Sequence, residues 1–247
     1  MKKTLLITGV LLALTASIAS AAGGINLGWN DCVGAGGLVN KNFICNTNTG
    51  NNDMYASFDP PQTLTTVNGN NQLIDLQSAS AALPDWWQFK NAGSCRLASL
   101  IANGGPGTCA DPWTGQGAPG IAAYLVTANT PSMPLNRARI IGSIAVASAF
   151  AGQVDPGTEY FSMVFRVNNA KTVGSGVCAG CQTAVCIVLN EITITQPPGT
   201  PGESPKVVDP LVSNYCTWQG GAVGGAGCPG VTPTINKTWG QVKSLYR

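Results

Sequence analysis

The stretch that decides the fold is residues 158–195, TEYFSMVFRVNNAKTVGSGVCAGCQTAVCIVLNEITIT. Its two ends, Glu159–Asn168 and Ala184–Thr195, are rich in aromatic and β-branched residues, which favour β-strands. Successive side chains of a strand point to opposite faces of the sheet. The spacing therefore predicts two strands of an antiparallel sheet with one side in the core. In the first strand, one face is predicted to hold Phe161, Met163, Phe165 and Val167.

The rest of the chain continues this pattern of short apolar segments between turn residues. Turns recur about every 8–12 residues, which is typical of a sandwich or barrel. No segment has strong helical periodicity, which argues against a fold of alternating helices and strands. We predict an all-β protein, an antiparallel β-sandwich with long Gly/Asn/Pro-rich loops and several disulfides. Expected local elements are a hairpin at Asn68-Gly69, a strand over Asp85–Phe89, and a strand or short helix near Trp239.

The N-terminus indicates export. Lys2 and Lys3 precede an apolar run over Thr4–Ala16 and an Ala19-Ser20-Ala21 cleavage pattern, which together predict a signal peptide over residues 1–21. The apolar run is shorter than the ~20 residues that cross a bilayer, so we expect no membrane-spanning segment. The expected location is secreted, extracellular or at the cell surface, with the periplasm as another option.

The mature part is expected to contain a β-sandwich domain over residues 22–196. A Pro/Gly/Cys-rich segment, residues 197–247, is expected to pack on the sandwich or to extend from it. Without Lys2 and Lys3, 11 basic residues balance 11 acidic ones. This balance argues against nucleic acid or anionic lipid as a partner, and it permits self-association.

Nine cysteines in an exported chain predict a disulfide framework. Short local spacings favour three pairs: Cys32 with Cys45, Cys95 with Cys109, and Cys216 with Cys228. One further pair is then expected among Cys178, Cys181 and Cys186. The remaining sulfur is expected to be buried and free, or to join two molecules.

The sequence offers little support for catalysis. The chain contains no histidine, which excludes His-activated nucleophiles and His-containing zinc sites. No pair of carboxylates stands out as the acid and base of a glycosidase. Oxygen ligands for a structural calcium ion could come from Asn51-Asn52-Asp53 or Asp155–Glu159, although neither matches an EF-hand loop. We therefore expect no cofactor, and a structural calcium ion is the minor alternative.

Three tryptophans are candidate ligand-binding residues, because exposed rings can stack on sugars: Trp86, Trp87 and Trp113. Adjacent Trp86 and Trp87 would face opposite sides of a strand, so one is expected in the core and the other exposed or capped by a loop. The alternative is that both rings are buried against loops.

The segment Met54–Thr195 resembles the cohesin and carbohydrate-binding-module type of secreted sandwich. The likeness is carried by an FDP corner at residues 58–60, the Asn-Gly turn, and the strands GTEYFSMVFRV and VCIVLNEITIT. The segments WQFKNAGSCR, CAGC and TWGQVKSLYR also resemble exported proteins of environmental bacteria that carry no established activity. The first resemblance implies an antiparallel β-sandwich of jelly-roll or cohesin-like type, and the second implies export and a shared fold.

We therefore expect an exported, non-catalytic binding or structural module that acts in adhesion or assembly. Its partner would be an extracellular protein or polysaccharide. The first alternative is a carbohydrate-binding module that uses one of the three tryptophans, and the second is a glycan-acting hydrolase.

Overall fold

A computed structural model describes residues 23–202 and 204–221. The predicted signal peptide and the expected element near Trp239 lie outside the described residues. Within them are three short 3-10 turns, Val33–Ala35, Asp85–Trp87 and Ser148–Phe150. The strands are β1 Gly24–Trp29, β2 Asn40–Lys41, β3 Asn51–Asp59, β4 Leu64–Val67, β5 Gly69–Ser78, β6 Leu100–Asn103, β7 Ala118–Leu125, β8 Arg137–Ala145, β9 Gly152–Val154, β10 Tyr160–Asn168, β11 Val185–Thr195, β12 Lys206–Val207 and β13 Tyr215–Trp218.

The strands form a two-layer antiparallel β-sandwich, as the sequence predicted. One sheet has the order β1-β3-β10-β6, and the other has the order β2-β13-β11-β5-β8-β7, with β12 beside β11. Strands β4 and β9 form a separate pair. The parallel pairing of β13 with β2 is an exception to the antiparallel arrangement. Apolar residues from both sheets meet in one core.

The two strands formed by residues 158–195, β10 and β11, are interior strands of opposite sheets. β10 lies between β3 and β6, and β11 lies between β13 and β5. Their predicted bounds are confirmed to within one residue. The predicted face of β10 is wrong for Phe161, because the register shifts at Ser162. Ser162 points inward and donates a hydrogen bond to Asn70 of the opposite sheet (3.0 Å). Phe161 lies on the other side of its own sheet, where it is fully buried and contacts Tyr55.

The predicted hairpin at Asn68-Gly69 is wrong. β4 pairs with β9, while β5 pairs with β8 and β11. The Asn68 N–H donates to Thr195 O (3.0 Å) and its carbonyl accepts from Val146 N–H (2.9 Å). The turn residues therefore carry the chain from the small sheet into the large one instead of reversing it within one sheet.

The predicted strand over Asp85–Phe89 is also wrong. Residues 85–87 form a 3-10 turn that follows Pro84. In a turn, Trp86 and Trp87 do not have to face opposite sides, and both rings enter one aromatic cluster with Trp218. The centroid of Trp218 lies 5.1 Å from that of Trp86 and 5.6 Å from that of Trp87.

A buried arginine anchors this turn to the end of β10. The Arg96 guanidinium lies 3.7 Å from the centroid of the Trp86 ring. It donates hydrogen bonds to the carbonyls of Trp86 (2.7 Å), Ala170 (3.0 Å) and Asn168. Arg96 is 1% exposed, and burial lowers its pKa to about 9. Its charge is therefore stabilised by backbone dipoles and an aromatic face, without a carboxylate partner in the described part of the chain.

The predicted local disulfide pairs are wrong. The structure has Cys32–Cys109, Cys45–Cys181 and Cys95–Cys178, with Cα–Cα distances of 6.0 Å. Cys186 is also disulfide-bonded, and Cys216 is buried with a free thiol. Packing of the two sheets brings together cysteines that are 77 to 136 residues apart. Spacing along the chain could not indicate these pairs.

The sandwich continues past residue 196, the boundary expected from the change in composition. β12 pairs with β11 through Val207 and Lys206. β13 lies between β2 and β11, and its Trp218 is fully buried in the core. Residues 206–218 are therefore part of the larger sheet.

The disulfide pattern gives a first testable prediction. Mass spectrometry of the proteolysed, non-reduced protein is expected to show linked peptides that carry Cys32 with Cys109, Cys45 with Cys181, and Cys95 with Cys178. Each closes a long loop, so each is expected to contribute about 4–5 kcal/mol to the free energy of unfolding. Peptides that link Cys32 to Cys45 would contradict this pattern.

The arginine anchor gives a second prediction. Arg96→Ala is expected to lower the free energy of unfolding of the oxidised protein by about 3 kcal/mol or more, because three carbonyls lose a charged donor. Urea denaturation measures this loss. Arg137→Ala is the matched control and is expected to cost less than about 0.5 kcal/mol, because that side chain has no described partner. Equal losses in the two variants would show that Arg96 is not an anchor.

Candidate functional site

The three predicted ligand-binding tryptophans lie in the interior. Trp86 and Trp87 are fully buried and Trp113 is 1% exposed. The Trp86 indole donates to Thr172 Oγ1 (3.0 Å), and the Trp113 indole donates to Ser162 O (3.1 Å). None of the three offers a ring face to solvent, so an exposed platform for a sugar is not present at these positions.

The two candidate calcium segments use their carboxylates in contacts within the protein. Asp53 accepts two hydrogen bonds from Arg166, both 2.7 Å. Asp155 accepts one from Thr63 (2.8 Å). Glu159 holds the turn after β1 on the sheet through several donors, including Gly34 N–H (2.9 Å). Over residues 23–202 and 204–221, no group of three or more Cys, Asp or Glu residues is placed to hold a metal ion.

The larger sheet is partly exposed on the side away from the core. Its central side chains alternate with buried ones along β5, β8 and β11, and are partly exposed. In the register of the sheet, Ile141 lies opposite Leu73, Leu73 lies opposite Glu191, and Arg139 lies opposite Asp75. We call this surface the outer face; it comprises Leu73, Asp75, Arg139, Ile141 and Glu191.

Ion pairs flank the apolar centre of the outer face. Arg139 donates to both oxygens of Asp75, at 2.6 and 2.8 Å, and this hydrogen bonding raises the pKa of Arg139 against the opposing effect of burial. Lys206 lies 3.0 Å from a carboxylate oxygen of Glu191. Burial opposes the ionisation of Glu191, but hydrogen bonds from Thr193 and Lys206 lower its pKa. Both carboxylates on this surface, Asp75 and Glu191, are therefore paired with cationic side chains.

A pocket of about 300 Å³ opens at one end of the outer face. We call it the arginine pocket. Its floor is the Asp75–Arg139 pair, and the connection between β7 and β8 forms its wall. The Arg137 side chain makes no hydrogen bond or ion pair with any residue that the structure describes. The lining residues are Asp75, Leu125, Thr130, Ser132, Met133, Pro134, Arg137 and Arg139.

The wall of the arginine pocket is held by hydrogen bonds inside the connection. Asn129 accepts from Val126 N–H (2.8 Å) through its side chain and donates to Tyr124 O (2.9 Å). Thr127 Oγ1 donates to Met133 O (2.8 Å). Asn and Thr side chains stabilise turns through such bonds to nearby backbone groups. The pocket is thus formed before any ligand arrives.

The connection is also attached to the neighbouring segment. Leu83 N–H donates to Leu135 O (2.8 Å), and Ser78 N–H donates to Asn136 O (2.9 Å). Leu135 nevertheless remains 66% exposed. An apolar side chain is therefore held on the surface beside the arginine pocket.

A second cleft, about 430 Å³, lies between residues 94–99 and the segment 168–171. The nearby Arg96 guanidinium is engaged by three carbonyls, and the Lys171 ammonium donates to Cys95 O (2.7 Å). The cationic groups of this cleft already serve the fold, which distinguishes it from the arginine pocket.

By its strand order and core, the chain belongs to the class of antiparallel β-sandwiches, and it has a weak resemblance to cohesin modules. No family model and no curated protein matches the chain. Among solved structures it is similar to a cohesin module from a Clostridium perfringens ATCC13124 family 33 glycoside hydrolase, at 8% identity over 80% of this chain and 96% of the module, with a TM-score of 0.37. It is also similar to the second type II cohesin module of the cellulosomal adaptor ScaA scaffoldin of Acetivibrio cellulolyticus, at 9% identity over 77% of this chain and 95% of the module, with a TM-score of 0.33.

No helix among the described residues has the length and hydrophobicity needed to cross a membrane. The long-range disulfides are of the kind that forms and persists in oxidising compartments.

The network around Asn129 gives a third prediction. Asn129→Ala is expected to speed amide hydrogen exchange at Val126 and to lower the free energy of unfolding by about 1 kcal/mol, because two part-buried hydrogen bonds to the backbone are lost. Ser132→Ala in the same connection is the control, because its hydroxyl has no described partner. Unchanged exchange at Val126 in the Asn129 variant would contradict the pre-formed wall.

Proposed function

We propose that this protein is an exported, non-catalytic binding module that takes up a protein partner on the outer face of its larger sheet. In this role it serves adhesion or assembly at the cell surface or in the extracellular space. The observation that carries the proposal is the outer face itself. There, partly exposed Leu73 and Ile141 lie between two ion pairs on a rigid sheet.

The composition of the outer face supports a protein partner. Leu73 and Ile141 supply apolar area at its centre, and the pairs Asp75–Arg139 and Glu191–Lys206 supply a polar border. Protein interfaces commonly combine an apolar centre with a polar rim. Leu135, 66% exposed at the end of the face, would add to the buried area.

The burial of the tryptophans favours a protein partner over a polysaccharide partner. Carbohydrate binding of the kind expected from the sequence needs an exposed aromatic ring. All five tryptophans of the described residues are buried: Trp29, Trp86, Trp87, Trp113 and Trp218.

The absence of histidine from the chain and the engagement of Asp75 by Arg139 support a role without catalysis. A glycosidase requires two carboxylates about the scissile bond. The arginine pocket contains one carboxylate, Asp75, and Arg139 donates hydrogen bonds to both of its oxygens.

The fourth prediction tests the outer face by site-specific photocrosslinking. A photoreactive phenylalanine analogue at position 141 is expected to give a discrete adduct with a partner protein from the surface fraction of producing cells. The control position is Ile101, 43% exposed on β6 of the other sheet, where no such adduct is expected.

The captured partner is then purified and titrated against the intact module by calorimetry. Ile141→Asp is expected to weaken binding at least about tenfold, because a charge would be buried at the centre of the interface, while Ile101→Asp leaves it unchanged. Adducts at position 101 alone, or equal weakening by the two variants, would refute the outer face as the binding surface. Retention of the protein by polysaccharide with no adduct at 141 would favour the carbohydrate alternative.

A further inference from the structure

We propose that the arginine pocket binds the carboxylate of an aspartate or glutamate side chain that a partner polypeptide presents next to an apolar residue. This inference rests on the proposed function, because it specifies the chemistry of the partner at one end of the outer face. It goes beyond a general binding surface by naming the side chain that is recognised.

The charges of the arginine pocket favour an anion. The pocket contains two guanidinium groups, Arg137 and Arg139, and one carboxylate, Asp75. Arg139 forms a bidentate pair with Asp75, so these two charges cancel. The Arg137 guanidinium has no partner among the described residues.

Among the anionic groups that a protein can supply, the geometry of the unpaired Arg137 guanidinium favours a carboxylate. A guanidinium presents its N–H donors as a planar fork that matches the two oxygens of a carboxylate. The Ser132 hydroxyl, which also lines the pocket, has no described partner. It offers a further donor to the same ligand.

The walls of the pocket indicate that the acidic residue has an apolar neighbour. Leu125, Met133 and Pro134 line the pocket beside the arginines. Methionine adapts to irregular apolar surfaces, and proline presents a rigid one. A volume of about 300 Å³ is at the lower limit of small-molecule sites, and suits one or two side chains better than a long chain of sugars.

A rigid pocket lowers the cost of binding a short peptide segment. The hydrogen bonds of Asn129 and Thr127 fix the wall, so little conformational entropy remains to be lost there when a ligand binds. A carboxylate can also belong to an acidic sugar. The lining of the pocket contains no aromatic side chain on which a sugar ring could stack, so the observations favour a peptide.

The fifth prediction is tested by NMR titration of the oxidised, isotope-labelled protein with two short peptides, acetyl-Leu-Glu-amide and acetyl-Leu-Gln-amide. The glutamate peptide is expected to shift the Arg137 side-chain Nε–H signal and the amide signals of Ser132 and Met133. The glutamine peptide is expected to bind at least about tenfold more weakly, because it cannot form the charged pair with Arg137.

Two variants separate recognition from general electrostatics. Arg137→Gln is expected to weaken binding of the glutamate peptide at least about tenfold. Lys90→Gln, which removes the same charge from an exposed position outside the outer face, is expected to change this binding less than twofold. Intact amide spectra of both variants show that the fold is retained.

Three results would overturn the proposal: equal binding of the two peptides, shifts confined to residues outside the pocket, or equal effects of the two variants. Tighter binding of sodium glucuronate than of the glutamate peptide would assign the pocket to an acidic sugar and would also overturn it. The titration uses no native partner, so it can fail while crosslinking at position 141 succeeds, and the reverse also holds.

Discussion

The rest of the structure depends on the contact between a buried guanidinium and an indole ring. Arg96 stacks on Trp86 and binds three backbone carbonyls. An arginine without a carboxylate is costly to bury, and this one is retained because its donors satisfy carbonyls that the sheet leaves unpaired at the end of β10. The contact attaches the turn of Trp86 and Trp87 to the end of β10 in the smaller sheet.

A chain of contacts leads from this anchor to the arginine pocket. Trp87 follows Trp86 in the same turn, and its carbonyl accepts a hydrogen bond from the hydroxyl of Tyr124 on β7. Burial raises the pKa of Tyr124, so the hydroxyl remains a donor. The Tyr124 carbonyl in turn accepts from Asn129, which shapes the wall of the pocket. Hydrogen bonds therefore connect the wall of the arginine pocket to the core. Both ends of the exposed connection between β7 and β8 are attached to buried groups.

The sequence was sufficient for the class of fold and insufficient for the site. Alternating apolar side chains and β-branched residues predicted β10 and β11 to within one residue, because burial of one face of a sheet produces a local sequence pattern. The bulge at Ser162 has no such local pattern, because a register shift depends on the partner strand. The disulfide pairs and the common burial of Trp86 and Trp87 were missed for the same reason: they depend on which distant segments the sheets bring together. The alternating arginines of β8, Arg137 and Arg139, were the one local signal of the pocket, but the connection that closes over them could not be read from spacing.

The three disulfides determine what a proteolytic cut would do to the protein. Their spans, 32–109, 45–181 and 95–178, overlap. Any single cleavage of the backbone between Cys32 and Cys181 therefore leaves both fragments covalently joined. A nick in a surface loop would not shed either piece, and the severed ends would stay close enough for the sandwich to persist as one particle.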